Sequence, residues 1–193
     1  MNLPTKITVS RIIASPVFFV LYFLPGWAGM KSFWLVPAIW LLYLYAEVSD
    51  VLDGWLARRR GLVTDLGKIL DPFSDVISRM TFFYCFTLSG FMPKPILLIL
   101  LYREFGILFV RMFMMGRGKA MGASIWGKLK AVCYFFSAVL GLLTMSGRYL
   151  GGEFFSSPPW NALILGFFIL SAVSSVASFF TYLVFVKRSL SNP

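Results

Sequence analysis

The chain has 193 residues, of which 59% are hydrophobic and only 13% charged, against about 25% charged in an ordinary soluble domain. That balance excludes a disordered chain and a nucleic-acid-binding tail, and with 21 Phe, 6 Trp and 8 Tyr it places the chain in a membrane. His is absent, and the two cysteines, Cys85 and Cys133, lie far apart in apolar runs. This removes His general bases, Ser-His-Asp triads and Cys/His zinc sites, and leaves both cysteines as small core hydrophobes.

Six apolar stretches follow in chain order, over 11–28, 33–56, 69–90, 95–115, 126–147 and 160–186. Each is near the roughly 20 residues that a helix needs to cross a ~30 Å hydrocarbon core. The first, after Lys6 and Arg11, mimics a signal peptide. It lacks a clear small-residue cleavage site and five more spans follow, so it reads as a span. The net charge of +10 comes from 18 Lys and Arg against 8 Asp and Glu. The breaks at 25–32, 90–95 and 147–159 hold only Lys31, Lys94 and Arg148. The opposite segments hold Lys6, Arg11, Arg58, Arg59, Arg60, Lys68, Arg117, Lys119, Lys128, Lys130, Lys187 and Arg188. The positive-inside rule then puts both termini in the cytoplasm, and the basic excess faces an anionic leaflet and not nucleic acid. The expected fold is an all-α polytopic membrane protein. It is one domain over 1–193, a six-transmembrane-helix bundle with a cytoplasm-facing metal site.

The acids are Glu47, Asp50, Asp53, Asp65, Asp71, Asp75, Glu104 and Glu153, and five of them fall between Asp50 and Asp75. On a helix, Asp50, Asp53, Gly54 and Ala57 share a face. Asp71 and Asp75 share another at i and i+4. Gly61 marks a turn between the two helices, which makes them antiparallel neighbours and brings the faces together. Carboxylates gathered in a partly buried place repel one another and lose solvation, and a bound cation offsets both costs. Oxygen ligands without His or Cys favour a hard ion, Mg²⁺, Mn²⁺ or Ca²⁺. Four carboxylates suit two such ions, an arrangement matched to phosphoryl transfer. Gly54 and Ala57 leave room for a bulky ligand, and Arg58 offers a fork for phosphate. Asp65, just inside a polar turn, reads as a solvated acid.

The run Asp50-x2-Asp53-Gly54-x2-Ala57-Arg58-x8-Gly67-x3-Asp71-x3-Asp75 resembles the signature of the CDP-alcohol phosphotransferases at all of its fixed positions. The resemblance implies transfer of a substituted phosphate from a CDP-linked donor to an alcohol, with release of CMP. It implies that Asp50, Asp53, Asp71 and Asp75 hold two divalent ions, Mg²⁺ or Mn²⁺, and that Asp75 is also the general base. It places Gly54, Ala57, Arg58 and Gly67 around the cytidine diphosphate, and implies a homodimer.

Further segments are similar to the phosphatidylglycerophosphate synthase branch of that family. They are residues 2–12, Leu70-Asp71-Pro72, Arg103-Glu104-Phe105, Gly127-Lys128-Leu129-Lys130, and Ser178 with Tyr182-Leu183. That branch joins CDP-diacylglycerol to sn-glycerol 3-phosphate, in likeness to bacterial inner-membrane enzymes. A phosphate-bearing acceptor needs cations, and Arg103, Arg111, Lys128 and Lys130 are the candidates. A buried Arg103–Glu104 pair that only fixes helix packing is the competing reading. The branch usually carries Lys directly after the last motif Asp. Here that position is Val76, and Arg79 shares the face of Asp71 and Asp75 instead. Inositol phosphate, serine, choline or diacylglycerol therefore stay open as acceptors. A divalent-cation transporter is the alternative of another class. Against it, the acids cluster at one end instead of spacing along a path.

Overall fold

A computed structural model describes residues 3–29, 34–59, 65–117 and 125–191. Among them there are six α-helices, one short 3-10 turn and no strand. The helices are α1 (Leu3–Ala28), α2 (Leu35–Arg59), α3 (Asp65–Leu88), α4 (Lys94–Gly116), α5 (Ile125–Tyr149) and α6 (Pro158–Ser191). Each expected apolar stretch lies almost wholly inside one of them. Four helices, α1, α2, α5 and α6, are long and apolar enough to cross a membrane. Charged side chains such as Asp71, Asp75 and Arg79 in α3, and Arg103, Glu104 and Arg111 in α4, dilute the apolarity of the other two. The turn assigned to Gly61 lies outside the described residues.

The ends of the helices follow local rules. Gly90 has φ +81°, a left-handed conformation that glycine adopts without strain. Its N–H donates to Thr87 O, and the N–H groups of Phe91 and Met92 donate to Phe86 O, so the last carbonyls of α3 find partners. Pro93 is extended and Pro95 stands in the first turn of α4, where its missing N–H costs nothing. α6 likewise begins on Pro158. The interior Pro16, Pro25 and Pro72 are accommodated within their helices.

The chain forms two compact units, residues 1–85 and 86–193. In the first, α1 runs antiparallel to α2, because Arg11 reaches Asp50 and Asp53 near the α2 C-terminus. It runs parallel to α3, because Thr8 meets Asp71, Ser15 meets Ser78 and Phe18 meets Phe82 in order. The expected antiparallel relation of α2 and α3 follows: Tyr43 and Phe82 stack edge-on at 5.3 Å, far along each helix from the aspartates. Phe18, Ile39, Tyr43, Phe82, Phe83 and Cys85 form the buried apolar core of this unit.

In the second unit, α5 and α6 pack antiparallel through small residues. Ser137 Oγ lies 2.9 Å from Ser171 Oγ and donates to Phe167 O. Trp160 Nε1 donates to Thr144 Oγ1 farther along. Without a hydrophobic drive between helices in lipid, close backbone approach and shared hydroxyls hold such pairs. α4 runs parallel to α6, with Arg103 against Ser178 and Arg111 against Tyr182. Outward-facing Leu41, Phe109, Val173 and Phe180 are each more than 60% exposed, a surface that lipid solvates and water does not. The chain is an integral membrane protein.

Candidate active site

The first unit gathers the aspartates of the signature from two helices. Asp53 is 2% exposed and Asp50 38%, so this face of α2 passes from protein interior to surface within one turn. Arg11 is 1% exposed. Its Nη1 donates to Asp50 Oδ1 at 2.7 Å and its Nη2 to Asp53 Oδ2 at 2.8 Å. Thr8, one turn earlier on α1, places its hydroxyl oxygen 2.9 Å from Asp53 Oδ2 and 2.9 Å from Asp71 Oδ1. Those two carboxylate oxygens, from α2 and α3, therefore lie no farther apart than twice 2.9 Å. Asp75 turns to its own helix, where Arg79 Nη2 stands 2.9 Å from Oδ1.

Three acceptors crowd the Thr8 hydroxyl: Asp53, Asp71 and the carbonyl of Pro4 at 3.1 Å. A hydroxyl has one proton and donates to one acceptor at a time. Asp53 Oδ2 also accepts from Arg11 Nη2 at 2.8 Å, and an all-oxygen, carboxylate-rich set of this kind has the chemistry that suits a hard divalent ion. The carboxylates are not gathered into a finished shell: among the described residues, no three Asp, Glu, Cys or His side chains stand together as metal ligands. Arg11 and Arg79 each engage oxygens of the signature aspartates, Arg11 one oxygen of Asp50 and one of Asp53, Arg79 one of Asp75.

Gly54 follows Asp53 on α2, and Gly67 lies in the first turns of α3. The side chains of Ala57, Arg58, Asp65 and Lys68 lie outside the described residues. In the sequence Arg11 stands out as a topology signal, and both Arg11 and Thr8 fall within the terminal likeness over residues 2–12, with no contact assigned to either. The signal that marks Arg11 is an ionisable residue carried into an apolar helix, which needs a partner.

The second unit holds the other candidate cations. Glu104 Oε1 accepts from Arg103 Nη1 at 2.8 Å, Lys130 Nζ at 2.8 Å and Tyr134 Oη at 2.9 Å. Tyr134 Oη also lies 2.8 Å from Ser175 Oγ, which donates back to it, and Arg103 Nη2 donates to Ser178 Oγ at 2.9 Å. Lys130 Nζ stands over the Tyr134 ring. Arg103, Glu104 and Lys130 are all buried. One carboxylate faces two cations, so the cluster carries an excess positive charge. Arg111 reaches Tyr182 Oη at 3.5 Å. Lys128 is exposed at the start of α5. Arg103 Nε and Arg111 Nε are buried without a hydrogen-bond partner among the described residues. The expected Arg103–Glu104 pair is present, and it extends into a network that the sequence did not reveal.

A membrane chain that is helical among the described residues, and that brings acids of two helices onto a third, belongs to a narrow class, and comparison with known proteins names it. The description of the CDP-alcohol phosphatidyltransferase family matches residues 1–187. The chain belongs to this family. It is 35% identical over 194 aligned residues to a protein of Treponema pallidum (strain Nichols) named CDP-diacylglycerol--glycerol-3-phosphate 3-phosphatidyltransferase, covering 95% of this chain and 88% of that one. A protein of the same name from Bacillus subtilis (strain 168) is 31% identical, over 67% of this chain and 70% of its own. Another, from Aquifex aeolicus (strain VF5), is 31% identical, over 75% and 78%.

Proposed function

We infer that this chain transfers the phosphatidyl group of CDP-diacylglycerol to sn-glycerol 3-phosphate and releases CMP. The observation that carries the reading is the meeting of Asp53 and Asp71, from two helices of the signature, on one hydroxyl of a third helix. The names and coverage of the relatives support the same acceptor.

In this reading the acceptor hydroxyl attacks the phosphorus next to the diacylglycerol oxygen, the bond to the CMP phosphate oxygen breaks, and CMP departs with that electron pair. Asp75 takes the hydroxyl proton, work suited to a carboxylate that is reachable from solvent and oriented by Arg79. Asp50, Asp53, Asp71 and Asp75 would hold two divalent ions, Mg²⁺ or Mn²⁺. When bound, these ions supply the positive charge that offsets the diphosphate and the charge growing on CMP. Gly54, Ala57, Arg58 and Gly67 would line the cytidine diphosphate.

Arg103, Arg111, Lys128 and Lys130 would bind the acceptor phosphate. The excess positive charge around Glu104 and the two unpartnered arginine Nε atoms support that role. Arg79 engages Asp75, so it does not simply replace the lysine that Val76 displaces.

The remaining structural proposals are a single domain over 1–193, six spans and a homodimer. At a rise of ~1.5 Å per residue, α3 and α4 are long enough to cross the core despite their charges.

The test is CMP release by purified protein with CDP-diacylglycerol and Mg²⁺ or Mn²⁺, run against a panel of acceptors. Release with glycerol 3-phosphate above all others is expected. Release only with serine, inositol phosphate or choline would reassign the acceptor, and none with any alcohol would remove the enzyme reading.

A further inference from the structure

We propose that Thr8 and Arg11 of α1 are positioning residues that set the signature aspartates for divalent-ion binding. The inference rests on the metal reading above and goes beyond it, because neither residue belongs to the signature and neither lies on the helices that carry it.

Carboxylates from α2 and α3 repel one another, and a free aspartate side chain has several staggered rotamers to escape into. Two contacts limit that escape. The Arg11 guanidinium is planar and rigid, and it spans Asp50 Oδ1 at 2.7 Å and Asp53 Oδ2 at 2.8 Å. It fixes two carboxylates of one helix turn in a common orientation while occupying one oxygen of each. Thr8 then ties α2 to α3, its hydroxyl 2.9 Å from both Asp53 Oδ2 and Asp71 Oδ1. Asp53 Oδ2 is met by both residues, so α1 works as a jig against which the two acidic helices are registered. An arginine that served topology alone would be solvated, and this one is 1% exposed. Partners that orient metal ligands in this way typically change metal affinity about 10–100-fold when removed.

The experiment is a Mn²⁺ titration of purified protein in detergent micelles, with free Mn²⁺ read by its EPR signal. Thermal unfolding of each variant without added metal serves as the folding control. Thr8→Val keeps the side-chain shape and loses the hydroxyl, whereas Thr8→Ser keeps the hydroxyl. Arg11→Lys keeps the charge and loses the fork. The expected result is a Kd for Mn²⁺ raised about 10–100-fold in Thr8→Val and Arg11→Lys, with binding restored in Thr8→Ser and Thr8→Val unfolding near the wild-type temperature. Equal Mn²⁺ binding by Thr8→Val and Thr8→Ser, or wild-type binding by Arg11→Lys, overturns the proposal while leaving the metal reading intact. A wild-type protein that takes up no Mn²⁺, or one whose uptake survives Asp53→Asn, removes the metal reading itself and this proposal with it.

Discussion

Asp75 is 29% exposed and held by Arg79 from the next turn of α3, whereas Asp53 is 2% exposed and held by Arg11 and Thr8 from another helix. The first arrangement leaves a carboxylate within reach of a substrate, and the second anchors one. Asp75→Asn removes the carboxylate proposed as the base without changing the shape of the side chain. CMP release should fall by about 10²–10⁴-fold or more, since Asp75 is assigned both proton transfer and ligation. A rate near wild type in a CMP assay would take Asp75 out of the base role. Glu104 poses a different residue-scale question, because one oxygen serves three donors. Glu104→Gln removes the carboxylate charge that the buried Arg103 and Lys130 share, an effect on the order of 3–5 kcal/mol. The expected readout is a clear fall in unfolding temperature in detergent. An unchanged midpoint would show that the two cations are compensated elsewhere.

Among the elements, the end of α5 shows how a membrane helix is closed. Gly151 has φ +81° and turns the chain into the 3-10 segment Glu153–Ser156. The Phe155 ring folds back so closely that a Cβ on Gly147 would stand 2.0 Å from it. Arg148 fastens the same corner: its Nε donates to Phe155 O and its Nη2 to Asn161 Oδ1. Gly147→Ala should therefore displace Phe155 and destabilise the protein by about 1–3 kcal/mol, as overpacking does. Pairing it with Phe155→Ala should recover part of the loss in a thermal-unfolding series. If the two losses simply add, the ring is not what Gly147 accommodates.

For the whole molecule, the distribution of Lys and Arg makes a topological prediction. Six spans with both termini cytoplasmic place the loops at 25–32, 90–95 and 147–159 outside. A fluorescent reporter that folds only in the cytoplasm should light up when fused after Pro193, and a periplasmic alkaline phosphatase fused within 147–159 should be active in a bacterial host. Both reporters silent would mean that only one of α3 and α4 crosses, and a phosphatase inactive when fused within 90–95 would mean that α3 does not cross.

Apolar runs and their ends are local properties, so the helices were legible in the sequence. The stretch 126–147 is the body of α5, and 33–56 is the body of α2. The first run began too late, at residue 11, because hydropathy reports burial in lipid and not helicity. The turns of α1 that precede it carry Thr5, Lys6, Thr8 and Ser10 and are helical all the same. The four aspartates were legible for the same local reason, since helical spacing alone sets their faces. What they touch was not. Asp53 and Asp71 meet on Thr8, 45 and 63 residues away in sequence, and Arg11 meets Asp50 from 39 residues away. Glu104 gathers Lys130 and Tyr134 across 26 and 30 residues. Such contacts depend on which helix faces are pressed together, and no local pattern encodes that choice. The sequence by itself determined a helical membrane protein with an acidic signature. Only the tertiary structure decided that α1 carries the side chains, Thr8 and Arg11, that Asp50, Asp53 and Asp71 meet.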